Sequence, residues 1–132
     1  MLCIIPARSG SKGIKNKNLK KIKKNKSLIE LAFDIAKKSN LFDKIIVSTD
    51  SNYYKKYLKK KILINFLRPK KLSGDNVNDL DLIKFELKRY QKYYKKKFDY
   101  VCLLQPTSPF RKISDLKSCY KILKKGKLDA VW

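Results

Sequence analysis

The stretch "LCIIPARSGSKG", residues 2–13, joins an apolar run to a polar loop. Residues 2–7 are almost continuously apolar, which is typical of a strand buried on both faces of a parallel sheet. The run breaks at Pro6, and the loop that follows holds Arg8 and Gly13 among small and cationic residues. The sequence therefore predicts a buried strand that carries a cationic loop at its carboxyl end.

Apolar runs and helical patterns alternate along the rest of the chain. Further strands are predicted at residues 44–50, 62–67 and 99–105, with the start of a fifth at 128–132. Helices are predicted at residues 27–40, 51–60 and 80–94 and from Ser114 onward. This alternation predicts one α/β domain over residues 1–132, with a three-layer, Rossmann-like, mostly parallel sheet and helices on both faces. Ligands in such folds bind beyond the carboxyl ends of the strands.

The first predicted helix has clear signals at both ends. Ser27 and Glu30 have the spacing of a capping box, in which each side chain bonds the other residue's backbone. Asn40 suits the C-terminal end because asparagine tolerates a left-handed backbone. We therefore expect this helix to begin and end at these positions.

The formal net charge of +23 has two interpretations. A strongly basic chain can be a nucleic-acid-binding module, because neutralisation of phosphate dominates such affinity. However, only four of the 34 basic residues are arginine, and the lysines are spread along the whole chain. That distribution favours solvated protein faces over nucleic-acid binding.

Composition and pattern exclude several classes of protein. No apolar run approaches the roughly 20 residues of a membrane span, and residues 1–10 lack the regions of a secretory signal, so we expect a cytoplasmic protein with no membrane partner. Histidine is absent, which excludes a Ser-His-Asp triad and an H-E-x-x-H zinc site. Cys3, Cys102 and Cys119 lack metal-binding spacing, and the first two lie in apolar runs, as structural thiols do.

The loop at residues 8–18 has the chemistry of an anion site without a standard phosphate motif. It matches neither the Walker A pattern nor G-x-G-x-x-G. Glycines there allow backbone N–H groups to approach an anion, and Arg8, Lys12 and Lys17 add positive charge. A plain surface turn would explain "GSKG" equally well.

The placement of arginine favours the anion site. Arg8, Arg68 and Arg111 fall on predicted loops at the carboxyl edge of the sheet, whereas Arg89 is predicted on an exposed helix face. In a chain that otherwise uses lysine, arginine at these positions indicates two-point contacts to phosphate or carboxylate.

Four ordered motifs together resemble one enzyme family. They are "IIPARSGSKGIKNKNL" (4–19), "LFDKIIVSTD" (41–50), "FLRPKKLSGD" (66–75) and "YVCLLQPTSPFR" (100–111). Their order and spacing resemble those of the acylneuraminate cytidylyltransferases, or CMP-sialic acid synthetases, which have the nucleotide-diphospho-sugar transferase fold. The last motif is similar to the branch that uses sialic, legionaminic and related nonulosonic acids.

The resemblance implies that CTP and a nonulosonic acid, such as N-acetylneuraminic or legionaminic acid, give a CMP-sugar and pyrophosphate with Mg²⁺. The implied catalytic residues, which contact the triphosphate and the leaving phosphates, are Arg8, Lys12 and Lys17. The implied nucleotide-binding residues are Arg8, Ser11, Gly13, Asn18, Arg68 and Asp79. The implied sugar-binding residues are Gln105, Thr107 and Ser108.

Two departures from the family pattern limit the implied site. Val77 and Asp79 stand where the family has small hydroxyl residues, so Asp79 either accepts a hydrogen bond from the cytosine amino group or caps the next helix. Family members are also longer, and their later part carries acidic Mg²⁺ ligands and a dimer segment. We therefore assign no metal ligand here and expect a domain incomplete at its C-terminus, with weak CTP binding and impaired activity. Full-length members are expected to be homodimers.

Two other classes of function stay open at this point. One is the basic nucleic-acid-binding module. The other is a related nucleotidyltransferase, such as a CMP-Kdo synthetase or an enzyme that transfers guanylyl or uridylyl groups.

Overall fold

A parallel three-stranded sheet forms the centre of the fold. In the computed structural model, which describes residues 1–10, 13–126 and 128–131, β1 (Leu2–Pro6) lies between β4 (Lys44–Ser48) and β5 (Val101–Leu103). Both neighbours run parallel to β1. The first four residues of β1 are fully buried, which confirms the prediction from their continuous apolar run.

Helices cover both faces of this sheet. The described residues form four α-helices, α1 (Leu28–Ser39), α2 (Asn52–Leu58), α3 (Asp79–Tyr94) and α4 (Ile113–Lys124). Side chains alternate across a strand, so Cys3 and Ile5 pack with α1 and α2 in one apolar cluster. Leu2 and Ile4 pack with Tyr90 of α3 in the other. The predicted three-layer α/β architecture is therefore confirmed. None of the described helices is long and apolar enough to cross a bilayer.

Small elements complete the described chain. A two-stranded antiparallel hairpin joins β2 (Lys21–Lys23) to β3 (Lys26–Ser27). Single turns of 3₁₀ helix occur at Lys17–Leu19 and Lys70–Leu72. The first turn lies in the loop after β1 and the second lies between α2 and α3, and residues of both line the cavity described below.

Two predicted strands are wrong for the residues that the structure describes. Residues 62–67 form no strand, although Ile62 and Ile64 are buried and Leu63 between them is 73% exposed. The alternation of buried and exposed side chains shows that one face of this segment is buried. The segment is buried without hydrogen bonding to a neighbouring strand. Residues 128–131 also form no strand, and position 132 lies outside the described residues.

The capping box of α1 is present as predicted. The Ser27 side chain accepts a hydrogen bond from the Glu30 backbone, and the Glu30 carboxylate accepts bonds from the Ser27 N–H at 2.9 Å and Oγ at 2.8 Å. Asn40 ends the helix with a left-handed backbone, φ 55°. Each end of α1 therefore satisfies backbone groups that would otherwise lack partners.

Ser27→Ala is expected to lower the free energy of unfolding by about 1 kcal/mol, because it removes the side chain that satisfies the first turn of α1. Urea denaturation followed by circular dichroism measures the change. Ser118→Ala, on the exposed surface of α4, is the matched control and should change stability by less than about 0.5 kcal/mol. Equal losses in the two variants would contradict a stabilising role for the cap.

Candidate functional site

A cavity of about 270 Å³ opens beyond the carboxyl ends of the parallel strands. Its walls come from the loop after β1, the segment between residues 68 and 79, and the loop after β5. Seven of the residues assigned from sequence line it together: Arg8, Lys17, Asn18, Arg68, Asp79, Gln105 and Thr107. The fold therefore brings these residues together at one site from separate parts of the chain.

Four other assigned residues do not form the described lining. Gly13 and Ser108 are exposed and stand outside the cavity wall. Ser11 and Lys12 lie outside the described residues. A sequence motif identifies a loop as a whole. It does not show which residues of the loop face the cavity and which face solvent.

Arg8 stands on one wall and is held by the loop around residue 74. Its Nη2 atom lies 2.6 Å from Oδ1 of Asp75, and its Nη1 atom donates to the Ser73 carbonyl at 3.5 Å. The buried Asn18 side chain donates to the Arg8 carbonyl at 3.2 Å. The half-buried guanidinium is therefore directed at an anionic oxygen inside the cavity wall.

Arg68 lines the cavity but directs its donors into the protein. Only 6% of this residue is exposed. Its Nε atom donates to Ser48 Oγ at 3.0 Å, its Nη2 atom donates to the Ser48 carbonyl, and its Nη1 atom donates to the Leu72 carbonyl at 3.4 Å. Burial lowers the pKa of Arg68, yet the group stays charged because arginine starts far above neutral pH. Arg68 therefore fixes the end of β4 against the wall of the cavity.

A fully buried carboxylate lies behind Arg68, and sequence reasoning missed it. Glu86 of α3 is 0% exposed, accepts a hydrogen bond from Ser48 Oγ and forms an ion pair with Arg89. The Arg89 guanidinium also donates to the Leu67 carbonyl at 2.9 Å and lies over the ring of Phe66. The prediction that Arg89 is on an exposed face is therefore wrong. The only signal in the sequence was the i, i+3 spacing of opposite charges.

Asp79 and Gln105 also line the cavity, and their side chains meet there. Gln105 Nε2 donates to Asp79 Oδ2 at 3.2 Å, and Arg111 donates to the Gln105 carbonyl at 2.8 Å. Asn78 caps α3, since its side chain accepts from the Leu80 N–H at 2.9 Å. The alternative that Asp79 is the cap is therefore wrong, and its carboxylate is left to face the cavity.

The described carboxylates near the cavity each contact groups of the protein. Asp50 accepts from the Ser9 N–H at 2.8 Å and from Ser9 Oγ at 2.9 Å. Asp75 pairs with Arg8, and Asp79 accepts from Gln105. Within the described ranges, no group of three His, Cys, Asp or Glu residues is placed to hold a metal ion.

Comparison with known proteins identifies relatives across nearly the whole chain. Residues 2–131 match the family model described as cytidylyltransferase. An N-acylneuraminate cytidylyltransferase of Escherichia coli O18:K1:H7 is 37% identical over 122 residues, which are 92% of this chain and 28% of that relative. A CMP-N,N'-diacetyllegionaminic acid synthase of Campylobacter jejuni is 36% identical over 112 residues, 83% of this chain and 46% of that relative. The resemblance inferred from the four motifs is therefore confirmed.

One solved structure supports the fold. A CMP:2-keto-3-deoxy-manno-octonic acid synthetase complexed with CTP aligns with a TM-score of 0.71 at 18% identity, over 94% of this chain and 47% of that protein. At this identity the likeness shows a shared fold. The chain spans about half of that protein, and between about a quarter and a half of the two curated relatives named above.

Proposed function

The chain belongs to the cytidylyltransferase family, and we propose that it binds CTP for transfer of CMP to a nonulosonic acid with release of pyrophosphate. The observation that carries the proposal is the cavity that Arg8, Lys17, Asn18, Asp79 and Gln105 line together. Because the chain spans well under two thirds of its relatives, the complete reaction is proposed for the protein to which these residues contribute.

The triphosphate is proposed to lie along the loop after β1. Arg8 and Lys17 supply positive charge at the cavity, where the Arg8 guanidinium already pairs with the Asp75 carboxylate. The two oxygens of a phosphate group can accept a two-point contact from a guanidinium, as a carboxylate can. We extend this proposal to Ser11, Lys12 and Gly13, whose loop would supply backbone N–H groups and one more cation.

The base and the sugar are proposed to lie toward α3 and β5. The Asp79 carboxylate is an acceptor suited to the cytosine amino group, and Arg68 holds the wall beside it. Gln105, at the carboxyl end of β5, would then face the incoming sugar together with Thr107. The Gln105–Asp79 hydrogen bond links the residue proposed to bind cytosine to the residue proposed to face the sugar. The two substrates would therefore be held next to each other, as a reaction between them requires.

The proposed reaction is an in-line displacement at the α-phosphorus of CTP. The anomeric hydroxyl of the sugar attacks, and pyrophosphate leaves with the bonding electron pair. The protein would position the reactants and neutralise charge that develops on the leaving phosphates, a role that we propose for Arg8, Lys12 and Lys17. In this reaction the sugar hydroxyl is the nucleophile, so no protein side chain needs to act as one.

The proposal also covers the metal cofactor, the cellular location and the oligomeric state. Mg²⁺ normally neutralises part of a triphosphate's charge, and we propose that its ligands lie mainly in the rest of the full-length protein. We place the protein in the cytoplasm, where CTP is made and where free thiols such as its three cysteines persist. Homodimers are proposed for the full-length protein.

The chain is expected to bind CTP more tightly than ATP or GTP, because Asp79 suits an amino group at the position cytosine presents. Calorimetric titration of the three nucleotides at one ionic strength measures the preference. Equal binding of all three nucleotides, or no binding at millimolar nucleotide, would contradict the proposal.

A titration with duplex DNA is the matched comparison. Tighter DNA binding with a steep salt slope and no effect of Arg8→Ala would instead support a nucleic-acid-binding module.

A further inference from the structure

We propose that Cys3 and Cys102 form a dithiol that closes reversibly to a disulfide in the presence of a low-molecular-weight disulfide, with Cys102 as the attacking thiol. The two cysteines occupy directly opposed positions on β1 and β5, and both are free thiols in this structure. The proposal concerns the sheet interior and is independent of the nucleotide site.

The positions of the two residues suit a bridge. Cys3 and Cys102 are register partners in a parallel pair, and neighbouring strands lie about 4.7–4.9 Å apart. Disulfides join residues whose Cα atoms are roughly 4.4–6.8 Å apart. Both side chains pack against the same apolar cluster beside α1, so the two sulfurs share one face of the sheet.

Access differs between the two thiols. Cys3 is fully buried, whereas Cys102 is half-buried and lines an open groove of about 360 Å³ to which β5, α3 and α4 contribute residues. A small oxidant therefore reaches Cys102 first. Cys3 is then placed behind it as the second thiol, as a resolving cysteine must be.

The surroundings favour a thiolate at Cys102. The hydrogen bond from the Cys3 thiol and the charge of Arg111 lower the pKa of Cys102 against the effect of burial. Burial raises the pKa of Cys3. Arg111 Nη1 is buried and has no hydrogen-bond partner among the described residues. This arrangement gives the accessible cysteine the greater thiolate fraction, which governs attack on a disulfide.

The exchange takes two balanced steps with glutathione disulfide as oxidant. The Cys102 thiolate attacks one sulfur of glutathione disulfide, and the other sulfur leaves as glutathione thiolate. The Cys3 thiol then loses its proton and attacks the Cys102 sulfur, and the second glutathione leaves. Two protein thiols are thus oxidised while one glutathione disulfide is reduced to two thiols.

The test is incubation of the reduced, native chain with glutathione disulfide, followed by intact mass and peptide mapping. We expect loss of two of the three free thiols, no retained glutathione, and a Cys3–Cys102 crosslinked peptide that dithiothreitol releases. Retained glutathione on Cys102, a Cys102–Cys119 crosslink, or three intact thiols would each overturn the proposal. CTP titration of the reduced chain is a separate measurement, so failure of the nucleotide proposal would not affect this one.

Single-cysteine variants assign the roles of the two thiols. Cys3→Ser is expected to accumulate a stable glutathione adduct on Cys102, because the resolving thiol is missing. Cys119→Ser, the matched control, should form the disulfide as the native chain does. If a variant fails to fold, the order of iodoacetamide labelling in the native chain decides instead: Cys102 should react several-fold faster than Cys3, and the reverse order would overturn its role.

Discussion

Replacing Glu86 with glutamine is expected to lower the free energy of unfolding by about 3 kcal/mol, the largest loss of stability predicted for this chain. Glu86 is fully buried between Ser48 and Arg89, and Arg68 bonds the same Ser48 hydroxyl. Glutamine keeps the size of the side chain but removes the charge. The Arg89 guanidinium would then remain in a largely buried position without its anion.

Urea denaturation of Glu86→Gln measures this loss, and the surface provides its control. Asp81→Asn removes a carboxylate from the exposed side of the same helix and should cost less than about 1 kcal/mol. The double variant Glu86→Gln/Arg89→Gln should lose less stability than the sum of its single variants, because it leaves no guanidinium facing the missing charge. If Glu86→Gln lowers the free energy of unfolding by less than about 1 kcal/mol, the buried Glu86 charge does not stabilise the protein as proposed.

Arg8→Lys is expected to weaken CTP binding about tenfold, which corresponds to about 1.4 kcal/mol. Lysine keeps the positive charge but loses the planar fork that makes two-point contacts with phosphate or carboxylate. In this structure the Arg8 guanidinium contacts both the Asp75 carboxylate and the Ser73 carbonyl. Calorimetric titration with CTP at fixed ionic strength measures the effect.

Two companion variants separate a specific contact from general charge. Lys117→Ala removes a cation from the exposed face of α4 and should change CTP affinity less than twofold. Asp75→Asn removes the anion that occupies Arg8 and should tighten CTP binding. Equal weakening by Arg8→Lys and Lys117→Ala would show that binding depends on diffuse charge, and the account of this loop would be wrong.

Local features of the sequence determined much of the fold and part of the site. The apolar run at residues 2–7 sufficed for β1, because a strand buried on both faces needs apolar side chains at every position. The ends of α1 followed from Ser27, Glu30 and Asn40, whose partners lie within a few residues. Arg8 and Gln105 were predicted at the carboxyl edge because each stands at or just after the end of a predicted parallel strand.

Only the tertiary structure decided the polar contacts between distant segments. Glu86 and Ser48 are 38 residues apart, and Asp79 and Gln105 are 26 apart, so no local spacing reveals either pair. The same holds for residues 62–67, which are buried like a strand but pair with none in the described sheet. Periodicity reports which side chains are buried. Whether a buried segment finds a ladder partner, or a buried charge a counterion, depends on groups that folding brings from elsewhere in the chain.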